Sequence, residues 1–462
     1  MHDVAFAPPS LLAGALAAIG APALGFLALA IAVVVGRTPG ERTIAWGTRW
    51  ATVTSLVGAC SLAWAVLRGA PPTEVPLGTW FSLGDVHVDL VLLVDRAAVT
   101  MSMLTAVLGG LVGHFSVSYL HRDRGYARFF LLLLLFVGAM QVVSLAGSGD
   151  VLFLGWEALG ITSTLLIAHF GERRDPGRNA LRAFITYRTC DVGLLLALVL
   201  WHHEAGTTRF LDLPAHASGL SVLVPLGLLI GAMGKAAQLP FSGWLPRAME
   251  GPTPSSALFY GALSVHAGAF LLLRASPALA AHPTVAVAAA AVGLSTALVA
   301  TLVGRVQPDV KGALAHAAMT QVGLVFVEIA LGLHGFALIH VVGHAILRAR
   351  QLLQAPGVLE HDRALVAAAG GVRGRTGAHL ERLLPAALQR RLYGLALDRF
   401  GLDAAVDRLV VRPVLALARA LDDLDRTWSG DLHGVDPRDR RAEVSSPDLT
   451  PLPAPPSRGG EG

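Results

Sequence analysis

Eleven stretches of mostly apolar residues, each about twenty or more long, follow one another along the first 355 positions of this chain. They lie at approximately 10–36, 44–67, 92–119, 127–146, 149–170, 180–202, 221–239, 253–275, 283–306, 309–332 and 334–355. A helix needs about 20 such residues to cross the hydrocarbon core of a bilayer, where each backbone N–H and C=O must be paired within the segment. The pattern specifies an all-α polytopic membrane protein with about eleven transmembrane helices. Only 15% of the residues are charged, against about 25% in a soluble domain.

The loops between these stretches alternate in charge. With the N-terminus outside, the inner loops hold Arg37 and Arg42, then Arg122, Arg124 and Arg128, then Arg173, Arg174, Arg178 and Arg182. Later inner loops hold Arg247, then Arg305 and Lys311, whereas the outer loops show only Arg68, Arg209 and Arg274. Basic residues are retained on the cytoplasmic side of a membrane. The expected arrangement is N-terminus outside and C-terminus inside, in a cytoplasmic membrane of the bacterial type. The first stretch follows His2 and Asp3, not a basic region, and is too long for a signal-peptide core, so it is expected to stay as a helix.

Residues 1–360 form the expected transmembrane domain. Residues 361–430 are amphipathic and charged, as in helices that lie along a membrane surface or against a partner. Residues 431–462, polar and rich in Pro and Gly, are expected to be disordered. Turn signals at Pro71-Pro72 and Gly84-Asp85 fit a short extracytoplasmic β-hairpin over 69–91.

Two lysines stand against 34 arginines in the chain, and one of them, Lys235, lies deep in an apolar run. Arginine stays charged at such depth, while lysine can shift its pKa and release its proton. Pro240 interrupts the same helix five residues later and frees a carbonyl one turn back. Discontinuous helices of this kind mark ion sites in transporters.

Other ionisable residues fall inside the spans. Glu157 is either a carboxylate reached by water near a helix end or the partner of Lys235. Arg188 and Asp191, three residues apart, form a self-neutralising pair or compete with Glu157 for Lys235. His340, His344 and Arg348 recur every four residues on one helix stripe, and histidine passes protons through its two ring nitrogens. Glu328, His316 and His266 either extend that polar axis or are each a satisfied interior residue. No Cys or carboxylate completes a metal-ligand set around the histidines. Cys60 and Cys190 stand alone in apolar segments, which leaves no disulfide framework. The sequence GK at 234–235 is not followed by Ser or Thr and so is no phosphate loop. No basic patch interleaved with aromatics points to nucleic acid.

Several of these segments, in order, resemble the antiporter-like membrane subunit of respiratory complex I, the NADH–quinone oxidoreductase chain 5 family. Relatives of that family include Mrp-type antiporter subunits and membrane subunits of inorganic-carbon uptake complexes. The matching stretches are 92–104, 114–130, 149–167, 182–193, 234–258, 309–324 and 340–349, with a further likeness at 407–421. The resemblance implies inverted five-helix repeats, each holding a half-channel, with redox chemistry left to other subunits. It assigns Glu157 and Lys235 to a functional pair, Arg188 and Asp191 to a modulating pair, and His340 and His344 to a central axis.

Three departures stand out from the family pattern. Arg348 occupies a position usually held by lysine, Arg247 one usually acidic, and Tyr260 one usually histidine, with His266 nearby. The lysine-bearing broken helix of the second repeat is missing, so that repeat is expected to be incomplete. The resemblance thus implies a proton-translocating subunit among other membrane subunits, with no cofactor or metal of its own; sodium remains open as a companion ion. Two alternatives stand beside it: the membrane subunit of an inorganic-carbon uptake complex, and a non-conducting scaffold in which Arg348 is a fixed plug.

Overall fold

The computed structural model describes residues 8–83, 86–369 and 385–433. The helices are α1 (Pro9–Val34), α2 (Glu41–Leu67), α3 (Arg96–Tyr119), α4 (Tyr126–Leu145), α5 (Gly149–Ile167) and α6 (Arg174–Ala205). They continue with α7 (Leu223–Lys235), α8 (Thr253–Arg274), α9 (Pro283–Arg305), α10 (Val310–Ala330) and α11 (His334–Ala369). Three more follow: α12 (Ala386–Leu397), α13 (Leu402–Val406) and α14 (Arg412–His433). The chain divides into two compact units, Met1–Val410 and Val411–Gly462.

Among the described residues, nine helices are long and apolar enough to cross a membrane. A tenth span arises if α7 is joined to the short helical stretch Leu213–Gly219, which meets it at 116°. The eleventh expected stretch is helical too, as α11, but His340, His344, Arg348 and Arg350 leave it too polar to count by composition alone. The protein is an integral membrane helical bundle.

Side-chain caps fix several helix starts. Asp95 accepts from the Ala98 N–H (2.7 Å) at the head of α3, and Asp309 accepts from Gly312 (2.6 Å) at the head of α10. In lipid, helices gain by close backbone approach at small residues. Where α9 crosses α10, a Cβ on Gly323 would lie 2.5 Å from the carbonyl oxygen of Gly293, so only glycine fits.

The expected hairpin is present: β1 (Thr73–Leu83) pairs antiparallel with β2 (Val86–Val94), while its turn, Gly84-Asp85, lies outside the described residues. Arg209 pins it to the bundle through Glu74 (3.2 Å) and Asp89 (2.8 Å). Of the polar region 361–430, helices α12, α13 and α14 are described; the expected disordered tail lies outside the described residues beyond His433.

Candidate functional site

α7 stops at Lys235, and Ala237 then takes a positive φ of 52°, which carries the chain out of the helix towards Pro240. The carbonyls released by this break are met inside the protein. Gly234 accepts from the Trp244 indole N–H (2.9 Å), and Ala236 accepts from the Gln238 side-chain amide (2.9 Å). Leu239 donates its N–H to the Thr296 hydroxyl (3.0 Å). A break in a membrane helix survives only with such internal partners.

The Lys235 side chain is 1% exposed and its ammonium has no hydrogen-bond partner among the described residues. It lies instead over two rings, 4.7 Å from the centre of Tyr187 and 5.0 Å from that of Trp156. Aromatic faces attract a cation, and more strongly in a dry setting. The charges that act most on Lys235 are those of Asp191 and Arg188.

Glu157 does not hold Lys235. Its carboxylate is bound by the Arg188 guanidinium, whose other terminal nitrogen lies 2.9 Å from Asp191. Asp191 in turn accepts from the Trp156 indole N–H at 2.6 Å. The sequence-based pairing of Glu157 with Lys235 is therefore replaced by Arg188 bridging two carboxylates. Arg188 meets both acids because its charge is spread over two terminal nitrogens, one hydrogen-bonded to Glu157 and the other in ionic contact with Asp191. Gly160 keeps the cations together: a Cβ there would lie 2.8 Å from an Arg188 terminal nitrogen and 3.0 Å from the Lys235 ammonium.

His266 and His344 join ring to ring, while His340 engages Glu328 and Gln321. His266 Nδ1 donates to the Ala262 carbonyl (2.5 Å), so in a neutral ring its Nε2 accepts from His344 Nδ1 at 3.0 Å. This leaves His344 Nε2 buried without a partner among the described residues. His340 faces Glu328 through Nδ1 (2.7 Å) and Gln321 through Nε2 (3.0 Å). The His340 and His344 rings meet edge-on, their centres 6.4 Å apart. Arg348, one turn beyond, is 5% exposed and packs against Gly261 of α8. Tyr260, at the position expected to hold histidine, donates its hydroxyl to the Ser163 carbonyl (2.7 Å). His316 stands apart, its Nδ1 on the Gly312 carbonyl (2.8 Å), facing a small cleft with Arg399 and Asp403.

A charged clamp closes the end of the bundle below the break. Asp403 of α13 takes Arg247 (2.9 Å) and Arg399 (3.0 Å), while Arg182 reaches Asp407 (2.7 Å). Burial pushes the Asp403 carboxyl up, but the hydrogen bond from Arg247 and the charges of Arg399, Arg247 and Arg182 outweigh it and hold it below its ordinary value. Arg247, a departure from the family pattern, thus has its acid supplied by α13. The residues that sequence reasoning missed are Trp156, Tyr187, Gln321 and Asp403. Trp156 and Tyr187 directly adjoin Glu157 and Arg188 in sequence, which was the available signal.

Two family models match in order along the chain: the N-terminal part of NADH-ubiquinone oxidoreductase (complex I) chain 5 at residues 80–130, and the NADH:quinone oxidoreductase/Mrp antiporter transmembrane domain at residues 148–370. The chain belongs to this antiporter-like membrane-subunit family. NADH-quinone oxidoreductase subunit L of Escherichia coli is 34% identical over 346 residues, covering 70% of this chain and 56% of the relative. NADH-ubiquinone oxidoreductase chain 5 of Cryptococcus neoformans is 32% identical over 341 residues, covering 73% of this chain and 52% of that protein. The chain spans about half the length of these members. Among solved structures, the Mrp complex from Dietzia sp. DQ12-45-1b superposes with a TM-score of 0.64 at 27% identity, over 76% of this chain and 38% of the matched one. An archaeal respiratory membrane complex, the membrane-bound sulfane sulfur reductase, shares the fold with a TM-score of 0.64 at 18% identity, over 73% of this chain and 70% of the matched one.

Proposed function

We propose that this chain is a proton-translocating membrane subunit of a complex I-like or related energy-coupling assembly, in which Lys235 is the carrier that loads and releases the proton. The observation that carries this reading is the buried ammonium with no hydrogen-bond partner among the described residues, seated at a helix break beside an Arg188 that already holds two acids. An amine in that position takes or gives a proton according to which charge is brought towards it. Glu157 and Asp191 supply the negative charge, and Arg188 sets which of them is free. His266 and His344, joined ring to ring, supply a second transfer step, and His340 with Glu328 a third.

Redox chemistry is left to other subunits, a reading supported by the likeness to a single membrane subunit of NADH-quinone oxidoreductase. The loop charges support an N-terminus outside and a C-terminus in the cytoplasm. Similarity to subunits of multisubunit membrane complexes supports neighbouring membrane subunits as partners. The test is proton uptake into liposomes containing the purified protein with its copurifying subunits, under an imposed membrane potential. Uptake above that of empty liposomes is expected. A membrane as tight as the empty control would overturn the reading and favour a scaffold.

A further inference from the structure

α2 and α3 leave a groove of about 350 Å³ on the flank of the bundle, at the end where Arg42 and Arg122 lie. Its floor includes Gly110 and Gly113, and its walls include Thr48, Arg49, Thr52 and His114. The rest of the lining is aliphatic, the surface an acyl chain prefers.

Three observations concern the polar side of this groove. Arg49 sits eight residues into α2, about 12 Å along its axis, and is exposed on the outer face of a spanning helix. Its contact is the ring of His114 at 3.5 Å, and it has no carboxylate among the described residues. Arg182, Arg188, Arg209, Arg247, Arg274 and Arg399 all have one. A basic group between two helices at the cytoplasmic interface suits an anionic headgroup. The Thr48 hydroxyl, on a residue 4% exposed, has no partner among the described residues, although Thr52 one turn on bonds the Thr48 carbonyl at 3.0 Å in the usual helical way. Trp46 and Trp50 stand exposed beside Arg49, their rings 5.8 Å apart, as tryptophans do at the headgroup level.

We propose that this groove is a binding site for one anionic phospholipid. An acyl chain lies over the glycine floor, and the phosphate takes Arg49 as its counter-ion, with the Thr48 hydroxyl and the His114 ring as further donors. A phosphate oxygen matches the guanidinium fork, and the unpartnered threonine hydroxyl gains the acceptor it lacks. A lipid fits better than a protein side chain because the polar groups sit over an apolar channel lying between two helices.

Native mass spectrometry of the purified full-length protein tests this, with dioleoyl phosphatidylglycerol titrated against dioleoyl phosphatidylcholine. The wild type is expected to retain phosphatidylglycerol in preference, and Arg49→Ala to weaken that retention about tenfold, the scale of a lost charge-assisted contact, with phosphatidylcholine unaffected. Gly110→Leu is a second variant. A Cβ there meets only Thr52, at 3.8 Å, so the added side chain is accommodated, fills the groove and lowers retention of both lipids. Equal retention of the two lipids by the wild type would overturn the proposal. So would unchanged phosphatidylglycerol binding in Arg49→Ala, including the case where that variant instead releases a copurifying subunit whose carboxylate was the true counter-ion.

Discussion

Arg188 lies against the carboxylate of Glu157 on α5 and, through its other terminal nitrogen, 2.9 Å from Asp191 one turn along its own helix. One cation therefore holds two acids, and the Lys235 ammonium beside them is left to the faces of Tyr187 and Trp156. The two cations and two acids balance in number, but both acids sit on Arg188, which leaves Lys235 without one in contact. If Arg188 lets go of Glu157, that carboxylate is free for Lys235. The predictions below follow from this competition and from the packing around it.

Arg188→Gln removes the competitor and leaves Glu157 to hold Lys235 permanently. Proton uptake in liposomes is expected to fall at least about tenfold, equivalent to about 1.4 kcal/mol on the transfer barrier. Uptake equal to wild type would show that Arg188 has no part in the exchange.

Gly160→Ala places a methyl against the flexible ends of Arg188 and Lys235 rather than against backbone. Those ends move aside, so the melting temperature should stay within a few degrees while proton uptake drops several-fold. A large loss of stability with normal uptake in the surviving protein would contradict this.

Trp156→Phe keeps a ring beside Lys235 but deletes the N–H that Asp191 accepts at 2.6 Å. A buried hydrogen bond to a charged group contributes roughly 1.5–3 kcal/mol. A lowered melting temperature is the expected readout, and an unchanged one would mean that water or Arg188 takes over the freed oxygen.

Asp403 ties α13 to Arg247 and Arg399. Its carboxyl is held below the ordinary value because the hydrogen bond from Arg247 and three arginine charges outweigh its burial. A depressed folded value means that the ionised clamp contributes its stability above the unfolded carboxylate value, near pH ~4, and loses it as pH falls through the folded one. Hydrogen exchange corrected for pH should show α12 and α13 protected at pH 7 and less so at pH 3. Asp403→Asn should make the pH 7 protein behave like the acidified one, about tenfold faster in exchange; equal protection in both would remove the clamp from the account.

Apolar length alone made the spans legible, because a bilayer demands about twenty such residues whatever packs around them. Pro240 made the break legible, since proline removes a helical donor regardless of context. The Arg188–Asp191 contact was legible from i, i+3 spacing on one helix. Contacts between helices were not. Glu157 and Arg188 are 31 residues apart and His266 and His344 are 78 apart, so their meeting depends on how each helix is rotated, which the chain's own periodicity leaves open. Hence the sequence leaves Glu157 open between water and Lys235, and it does not reveal that the hydrogen-bond partner of His344 is on α8. The clamp escaped notice for the same reason: Arg247 and Asp403 are 156 residues apart.

The central claim is that Lys235 carries the proton, and the most direct measurement compares proton uptake by wild type and Lys235→Met in liposomes under the same imposed potential. Methionine keeps a comparable length of chain between the Trp156 and Tyr187 rings but has no proton to give. The account predicts uptake reduced to the level of empty liposomes with the assembly intact. Uptake at the wild-type rate in Lys235→Met would contradict it.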